Sequence, residues 1–194
     1  MRKLTSILVL FTFFFAAFSP TWSARADSQS DRRARAGIKL FRAMLAADLD
    51  ISEKIGDDGS LTLLIVYNRD SHTADEFALD MNKTGKSGKP ALIRKLPVKV
   101  EMSDSALLDK NLKTSYAGIF VAEPLKEETL QRLIDYSINK KTILYSPFEG
   151  DVEKGVLGGI SVEAKVQPYV NIKTLEKSGI RIKPFFMKVS KSYE

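Results

Sequence analysis

The apolar run Leu61-Thr62-Leu63-Leu64-Ile65-Val66-Tyr67 decides the fold of this chain. It follows the turn sequence Gly56-Asp57-Asp58-Gly59 and gives way to polar residues at Asn68. A strand with one face in water alternates apolar and polar residues, whereas a strand covered on both faces is apolar throughout. The run therefore predicts a central strand of a parallel or mixed sheet that has helices on both faces.

Three segments have the apolar spacing of amphipathic helices. The first extends from Asp31 to about Asp48. The second begins at Thr73, whose spacing to Glu76 fits a capping box, and the third follows Pro124. The basic residues of the first helix are interpreted as a solvated face; they are Arg32, Arg33, Arg35, Lys39 and Arg42.

Further strands are predicted on both sides of these helices. Residues 116–121 and 142–146 are apolar runs typical of buried strands, and residues 98–102 alternate like an edge strand. The segment 84–90 is interpreted as a flexible connection. Helices and strands thus alternate along the chain, as in a layered α/β sheet with right-handed crossovers.

The last third of the chain has a different pattern. Residues 160–166 alternate strictly, which predicts a strand with one face in water, and the segment up to Val170 can pair with it as a hairpin. Asn171 is predicted to cap a short helix through Lys177, with Gly179 just past its end. Residues 185–189 are predicted to pack as a final apolar segment. The predicted fold class is α/β, with one mixed sheet and a C-terminal β-hairpin plus short helix.

The first 26 residues have the order of a signal peptide. Two basic residues precede an apolar stretch from Ile7 to Phe18, and Ala24-Arg25-Ala26 supplies the small residues that cleavage before Asp27 requires. The apolar stretch is shorter than the roughly 20 residues that cross a bilayer as a helix. We therefore expect export to the periplasm, loss of residues 1–26, and one α/β domain at 27–194 that does not span the membrane.

Charge and cysteine content exclude several functional classes. Cleavage removes Arg2, Lys3 and Arg25, which leaves 27 basic and 24 acidic residues and a net charge of +3. So small a charge argues against nucleic acid as a partner. The sequence has no cysteine, so a disulfide, a thiol switch and a thiolate metal site are all excluded.

The sequence also lacks a pattern for self-contained catalysis. Its one histidine, His72, lies in a polar turn and cannot complete a histidine-based metal site alone. Ser146 has no nucleophile-elbow glycines around it. Gly155, Gly158 and Gly159 precede an alternating strand, whereas a phosphate-binding loop precedes a helix. We therefore expect no enzymatic activity, no metal and no cofactor.

Polar and aromatic residues follow the predicted buried strands. In open α/β sheets, ligands bind beyond the carboxyl ends of the strands, where the order of the chain reverses. Aromatic, guanidinium, amide and hydroxyl groups together suit recognition of a small polar molecule or a peptide surface. The residues predicted to contact a ligand or partner are Tyr67, Asn68, Arg69, Glu123, Ser146, Phe148 and Asn171.

Short motifs in the C-terminal two-thirds occur in a recognisable order. They are Gly-Ile-Phe-Val-Ala-Glu at 118–123, Thr-Ile-Leu-Tyr-Ser at 142–146, Gly158-Gly159-Ile160, Val170-Asn171-Ile172 and Lys-Ser-Gly-Ile-Arg-Ile at 177–182. This order resembles the YfiR-like family of periplasmic proteins. The resemblance implies a Rossmann-like domain and a role like that of a member that restrains an inner-membrane diguanylate cyclase by binding its periplasmic part. Disulfide-dependent control does not carry over, because this chain has no cysteine.

Two functional hypotheses follow. The first is a periplasmic, non-enzymatic regulatory or adaptor protein that binds the periplasmic part of an inner-membrane signalling protein. The alternative is a periplasmic small-molecule sensor or solute-binding domain for a small polar ligand. Transport-type binding proteins close two lobes around a solute, so the alternative needs either a homodimer or a shallow site.

Overall fold

The computed structural model describes residues 22–82, 91–112 and 114–194. Most of the predicted leader and the predicted connection at 84–90 lie outside the described residues. The first described helix begins at Trp22, so the predicted cleavage position before Asp27 falls within it. In the described part of the chain, none of the helices has the length and apolar content needed to traverse a bilayer.

Six helices and eight strands make up the described chain. The helices are α1 (Trp22–Ala47), α2 (Ser71–Asn82), α3 (Leu108–Asn111), α4 (Glu127–Lys140), α5 (Ile172–Ser178) and α6 (Pro184–Val189). The strands are β1 (Leu61–Tyr67), β2 (Leu92–Ile93), β3 (Leu96–Asp104), β4 (Gly118–Val121), β5 (Ile143–Ser146), β6 (Gly158–Val162), β7 (Val166–Asn171) and β8 (Lys191–Tyr193). Short 3₁₀ turns lie at Ile51–Lys54 and Ser105–Leu107.

The strands form one mixed sheet in the order β2-β3-β1-β4-β5-β6-β7-β8. The five from β3 to β6 are parallel, β6 and β7 form an antiparallel hairpin, and β8 returns parallel to β7. β2 pairs antiparallel with the first residues of β3. The predicted α/β class, central β1, mixed sheet and C-terminal hairpin plus short helix are confirmed.

Two apolar clusters cover the two faces of the sheet. On β1, Leu63 and Ile65 face the cluster built with α1 and α2, whereas Leu64 and Val66 face the cluster built with α3 and α4. All four side chains are at most 1% exposed. This is why the sequence of β1 is apolar without alternation.

Close packing of α1 against the sheet depends on two glycines. A Cβ at Gly118 would lie 2.8 Å from Cζ of Phe41, and a Cβ at Gly158 would lie 2.5 Å from Sδ of Met44. Real Cβ atoms do not approach other heavy atoms this closely. The sequence therefore brings α1 onto β4 and β6 by removing side chains where the helix crosses them.

The basic residues of α1 bind other parts of the chain, so the prediction of a merely solvated face is wrong for three of them. Arg35 forms ion pairs with Glu76 at 2.5 Å and Asp80 at 2.9 Å on α2. Arg42 donates to the carbonyl oxygens of Met81 at 2.6 Å and Leu92 at 3.0 Å. Arg33 donates to the carbonyl oxygens of Pro147, just after β5, and of Ile160 on β6. Arg32 and Lys39 are exposed, as predicted.

Two local predictions need correction. The strand predicted at 160–166 ends at Val162, because residues 163–165 form the hairpin turn. The edge strand predicted at 98–102 is confirmed, because β2 pairs only with Leu96 and Pro97 and the rest of β3 pairs with β1 alone. In the final apolar segment Phe186 is buried, but Phe185 is 78% exposed. The helix after Asn171 and its left-handed end at Gly179 are confirmed.

Candidate functional site

The order of strand addition reverses beside β1. From β1 the chain passes to β3 on one side and then to β4 on the other. Such a switch point opens a crevice between the carboxyl ends of the two neighbouring strands, here β1 and β4. Three of the residues predicted as site residues follow these strands, namely Asn68, Arg69 and Glu123, and Tyr67 is the last residue of β1.

The crevice at the switch point is occupied by a side chain of the protein itself. Oε2 of Glu123 accepts hydrogen bonds from the backbone N–H groups of Asn68 at 2.6 Å, Arg69 at 2.7 Å and Asp70 at 3.3 Å. Successive N–H groups that converge on one point form a nest for an anion. Because Glu123 fills this nest, a ligand anion can bind there only by displacing the carboxylate.

The loop after β1 is further fixed by Asp70, which caps α2. Its carboxylate accepts from the backbone N–H of His72 at 2.9 Å and from the hydroxyl of Thr73 at 2.5 Å. The hydrogen bond from Thr73 lowers the pKa of Asp70. The predicted capping box at Thr73 and Glu76 is therefore wrong: α2 starts at Ser71, and Glu76 binds Arg35 instead.

An open groove of about 270 Å³ lies at the same edge of the sheet, beyond β5 and β6. One wall is the loop that follows β5, and the other is the β6–β7 hairpin together with β8. The groove combines two aromatic rings with charges of both signs. Its lining residues are Arg33, Phe148, Glu149, Gly150, Val152, Glu153, Ile160, Ser161, Val162, Glu163, Tyr169 and Lys191.

Buried polar contacts hold the loop that follows β5. The hydroxyl of Ser146 donates to Asp151 at 2.5 Å and accepts from the backbone N–H of Phe148 at 3.2 Å. Burial raises the pKa of Asp151, although the hydrogen bond from Ser146 opposes that shift. The side-chain amide of Asn171 donates to the carbonyl of Val152 at 2.7 Å. These contacts position Phe148 and the backbone around it as a groove wall.

Arg33 joins the groove to α1. Its Nε donates to the carbonyl of Pro147, and its terminal nitrogen donates to the carbonyl of Ile160 at 2.9 Å. One carbonyl belongs to the loop wall and the other to β6. A guanidinium group has five N–H donors, so donors remain after these two bonds. Arg33 therefore holds both walls together and places a cation in the groove.

The hairpin side of the groove carries an aromatic ring and a cation. Tyr169 on β7 is paired in register with Lys191 on β8, and Nζ of Lys191 lies 5.0 Å from the centroid of the Tyr169 ring. The same Nζ is 2.6 Å from Oε1 of Glu163. Burial, together with a hydrogen bond to Glu153, raises the pKa of Tyr169.

The predicted site residues are divided between four environments. Asn68, Arg69 and Glu123 meet at the closed switch point, Tyr67 packs against the cluster built with α1 and α2, and Phe148 lines the groove. Ser146 and Asn171 are buried behind the groove wall and support it from inside. Nothing in the structure tests whether any of the seven contacts a ligand, so that assignment stays a prediction.

Sequence reasoning missed most of the groove. Arg33 lies on a helix more than 110 residues before Pro147 and Ile160, to which it binds. Tyr169 and Lys191 come together only because β8 pairs with β7, and β8 was not predicted. The one available signal was the Tyr169-Val170-Asn171 segment, which places an aromatic residue on the second strand of the predicted hairpin.

Two other features of the described chain are weaker candidates for a functional site. His72 is exposed, and no group of three histidine or acidic side chains among the described residues is arranged to hold a metal ion. A smaller groove of about 180 Å³ lies at the opposite edge. Two of its charged residues, Asp48 and Lys54, are paired with each other at 2.6 Å.

Comparison with known proteins identifies structures of similar fold but does not assign the chain to a family. No protein-family model and no curated protein matches the chain. A ligand-free, open substrate-binding protein with adhesive properties from Clostridium difficile is 11% identical, with a TM-score of 0.51 over 76% of this chain and 60% of that one.

Two other solved structures are less similar in shape. One is the ABC domain from Streptococcus pneumonia in complex with L-Trp, 11% identical, with a TM-score of 0.49 over 77% of this chain and 61% of that one. The other is a conserved domain protein from Vibrio cholerae, 12% identical, with a TM-score of 0.46 over 77% and 60%. The chain spans about three fifths of the length of these structures. The likeness to the Clostridium difficile protein identifies a shared α/β fold.

Proposed function

We propose that this chain is an exported, non-enzymatic domain that binds a small polar solute in the groove beyond β5 and β6. One observation carries the proposal: the groove of about 270 Å³ presents two aromatic rings beside charges of both signs at the carboxyl edge of the sheet. Ligand sites in α/β proteins lie at this edge and combine apolar walls with a few polar groups. The shared fold with a substrate-binding protein supports the same choice.

The switch-point crevice is a weaker candidate for the site, because its N–H groups already bind Glu123. A catalytic role finds no support in the loop, because Ser146 is fully buried and its hydroxyl donates to a carboxylate. A nucleophilic serine instead requires a base that accepts its proton and an exposed Oγ. Binding without reaction therefore accounts for the arrangement.

The test is a thermal-shift screen of amino acids, nucleotides and phosphonates, followed by calorimetric titration of each solute that raises the melting temperature. A solute at 100 times its dissociation constant stabilises the folded state by about 2.7 kcal/mol, which raises the melting temperature by several degrees in a domain of this size. If no solute in the screen stabilises the protein, solute binding is rejected.

The variant Phe148→Ala locates the site. Loss of an aromatic contact worth about 1 kcal/mol weakens binding by roughly five- to tenfold. Phe185→Ala is the matched control, because Phe185 is exposed and does not line the groove. Equal weakening by the two substitutions would place the ligand elsewhere.

A second candidate function, a regulatory adaptor as in the YfiR-like family, is supported by Phe185. This ring is 78% exposed on α6, and Val189 on the same helix is 46% exposed. Exposed aromatic residues are enriched where proteins meet. A photo-crosslinking residue at position 185 should capture an inner-membrane signalling protein in cells, whereas the same group at Lys173 on α5 should not. Equal capture from both positions, or capture from neither, would count against the adaptor.

A further inference from the structure

Lys191 occupies a small ammonium site inside the groove. Its Nζ lies over the ring of Tyr169, 5.0 Å from the centroid, and 2.6 Å from Oε1 of Glu163. An ammonium group within about 6 Å of an aromatic centroid is attracted by the negative face of the ring. The ring face and the carboxylate both attract an ammonium group at this position.

The β-sheet fixes the partners of this ammonium group. Tyr169 pairs with Gly159 on β6 and with Lys191 on β8, and the ring of Tyr193 packs edge-on against Tyr169 with centroids 6.3 Å apart. Tyr169 is 9% exposed, so its ring is held in place. The ring is therefore a rigid platform, whereas Lys191 reaches it with a long, flexible side chain.

The groove lining carries more negative than positive charge. It has three carboxylates, on Glu149, Glu153 and Glu163, and two cations, Arg33 and Lys191. Arg33 keeps its charge while it binds two backbone carbonyls, and Lys191 pairs with Glu163. Neither Glu149 nor Glu153 forms an ion pair with another residue in the described parts of the chain. A ligand that enters the groove thus meets two carboxylates that no ion pair neutralises.

We propose that the solute bound in this groove carries a primary ammonium group, and that Lys191 is an internal occupant which the ligand displaces from Tyr169 and Glu163. The proposal rests on the proposed function and names the ligand class of that site. Displacement costs little, because Lys191 and Glu163 are 40% and 60% exposed, and exposed ion pairs are weak. A lysine side chain can occupy the position of the ligand's ammonium group, because its own ammonium is a compact point charge like that of a small amine.

The experiment compares three probes of equal length by calorimetric titration: n-pentylamine, pentan-1-ol and pentanoate. We expect measurable binding of the amine only. In Lys191→Met the competing ammonium is gone while the apolar stem remains, so the amine should bind roughly five- to tenfold more tightly. Lys188→Met on α6 removes a lysine outside the groove and should leave the affinity unchanged.

A measurement on the unaltered protein covers the case in which Lys191→Met fails to fold. The Nζ resonance of Lys191, shifted by the ring of Tyr169, should move toward its solvent value as n-pentylamine is added. A resonance that stays in place at saturation overturns the proposal, as does equal binding of the alcohol or the acid. So does a Lys191→Met variant that folds and binds the amine no more tightly than the parent.

The two proposals fail in different ways. If a solute from the screen binds and Phe148→Ala weakens it, but the amine neither binds nor competes, the groove is a site for another class of ligand and only the ammonium inference is wrong. If no solute and no amine binds to the parent or to any variant, both are wrong.

Discussion

Glu123 joins the two loops of the switch point through a single carboxylate oxygen. Three consecutive N–H groups, those of Asn68, Arg69 and Asp70, converge on Oε2. Hydrogen bonds to a charged acceptor are stronger than hydrogen bonds between neutral groups. Glu123 is therefore a positioning residue for the β1–α2 loop.

We expect Glu123→Ala to lower the free energy of unfolding by about 1–3 kcal/mol, because three N–H groups lose their acceptor. Glu123→Gln keeps a neutral acceptor and should lose less. Glu176→Ala, at an exposed position of α5, is the control and should cost under about 0.5 kcal/mol. Urea unfolding measures all three. A loss for Glu123→Ala no greater than for Glu176→Ala would mean that the nest is satisfied without the carboxylate.

Asp151 supplies a pH dependence that belongs to one buried carboxyl group. Burial raises its pKa in the folded protein above the ordinary value of 3.8. A group with a raised folded pKa stabilises the protein fully below its unfolded pKa, and this contribution is lost as the pH rises through the folded pKa. The groups that face it are Ser146, which donates to it, and the charges of Lys154 and Glu153.

Asp151→Asn removes this titration while it keeps an acceptor for the hydroxyl of Ser146. Relative to the variant, the parent should therefore lose stability as the pH rises from about 3.8 through the higher pKa of folded Asp151, and the difference should level off above it. Melting temperatures of both proteins between about pH 3 and 8 measure this. A difference that is the same at every pH would show that the carboxyl group has equal pKa values in the folded and unfolded chain.

At the scale of elements, the position of α1 is set by the residues that it crosses. Gly118 and Gly158 allow Phe41 and Met44 to approach the strands. Arg35 binds α2, and Arg42 binds both α2 and β2. The helix thus covers one face of the sheet and also carries Arg33 into the groove. A shift of α1 would move that cation as well.

Gly158→Ala tests this packing. The added Cβ would lie 2.5 Å from Sδ of Met44, and overpacking of this kind costs about 1–3 kcal/mol. Met44→Ala in the same chain removes the clashing atom, so the double variant should be more stable than the sum of the two single losses implies. Urea unfolding of the four proteins in this cycle measures the coupling. Simple additivity would mean that the helix moves away without strain.

Elements were predictable where the signal is local. The run in β1 and the apolar spacing of α4 depend on neighbouring residues, and both were placed from sequence. β8 has only three residues and depends on pairing with β7. The bond between Asn68 and Glu123 spans 55 positions, and no pattern of neighbours encodes it. The groove escaped prediction for the same reason, because Arg33, Phe148 and Tyr169 meet only in the folded chain.

At the scale of the whole molecule, backbone hydrogen bonds join the segment before α6, residues 181–183, to the end of α1. This contact is called the terminal clasp. The backbone N–H of Leu49 donates to the carbonyl of Arg181 at 2.8 Å, and that of Lys183 donates to the carbonyl of Ala47 at 2.9 Å. Ile182 lies between these bonds and is 9% exposed. The first and last helices of the described chain therefore belong to one packed unit.

If the terminal clasp is part of that unit, its loss should lower the stability of the whole domain, which should still unfold in one transition. Ile182→Ala should lower the free energy of unfolding by about 2–4 kcal/mol through lost burial and a cavity. The urea m-value should not change, because the same surface is still exposed in one step. Leu49→Ala, at a side chain that is 44% exposed, should cost under about 1 kcal/mol.

Far-UV and near-UV circular dichroism should report one shared transition for each protein. A separate early transition in Ile182→Ala would show instead that the C-terminal segment unfolds on its own, and the groove, one wall of which is built from β8, would then open without unfolding of the sheet.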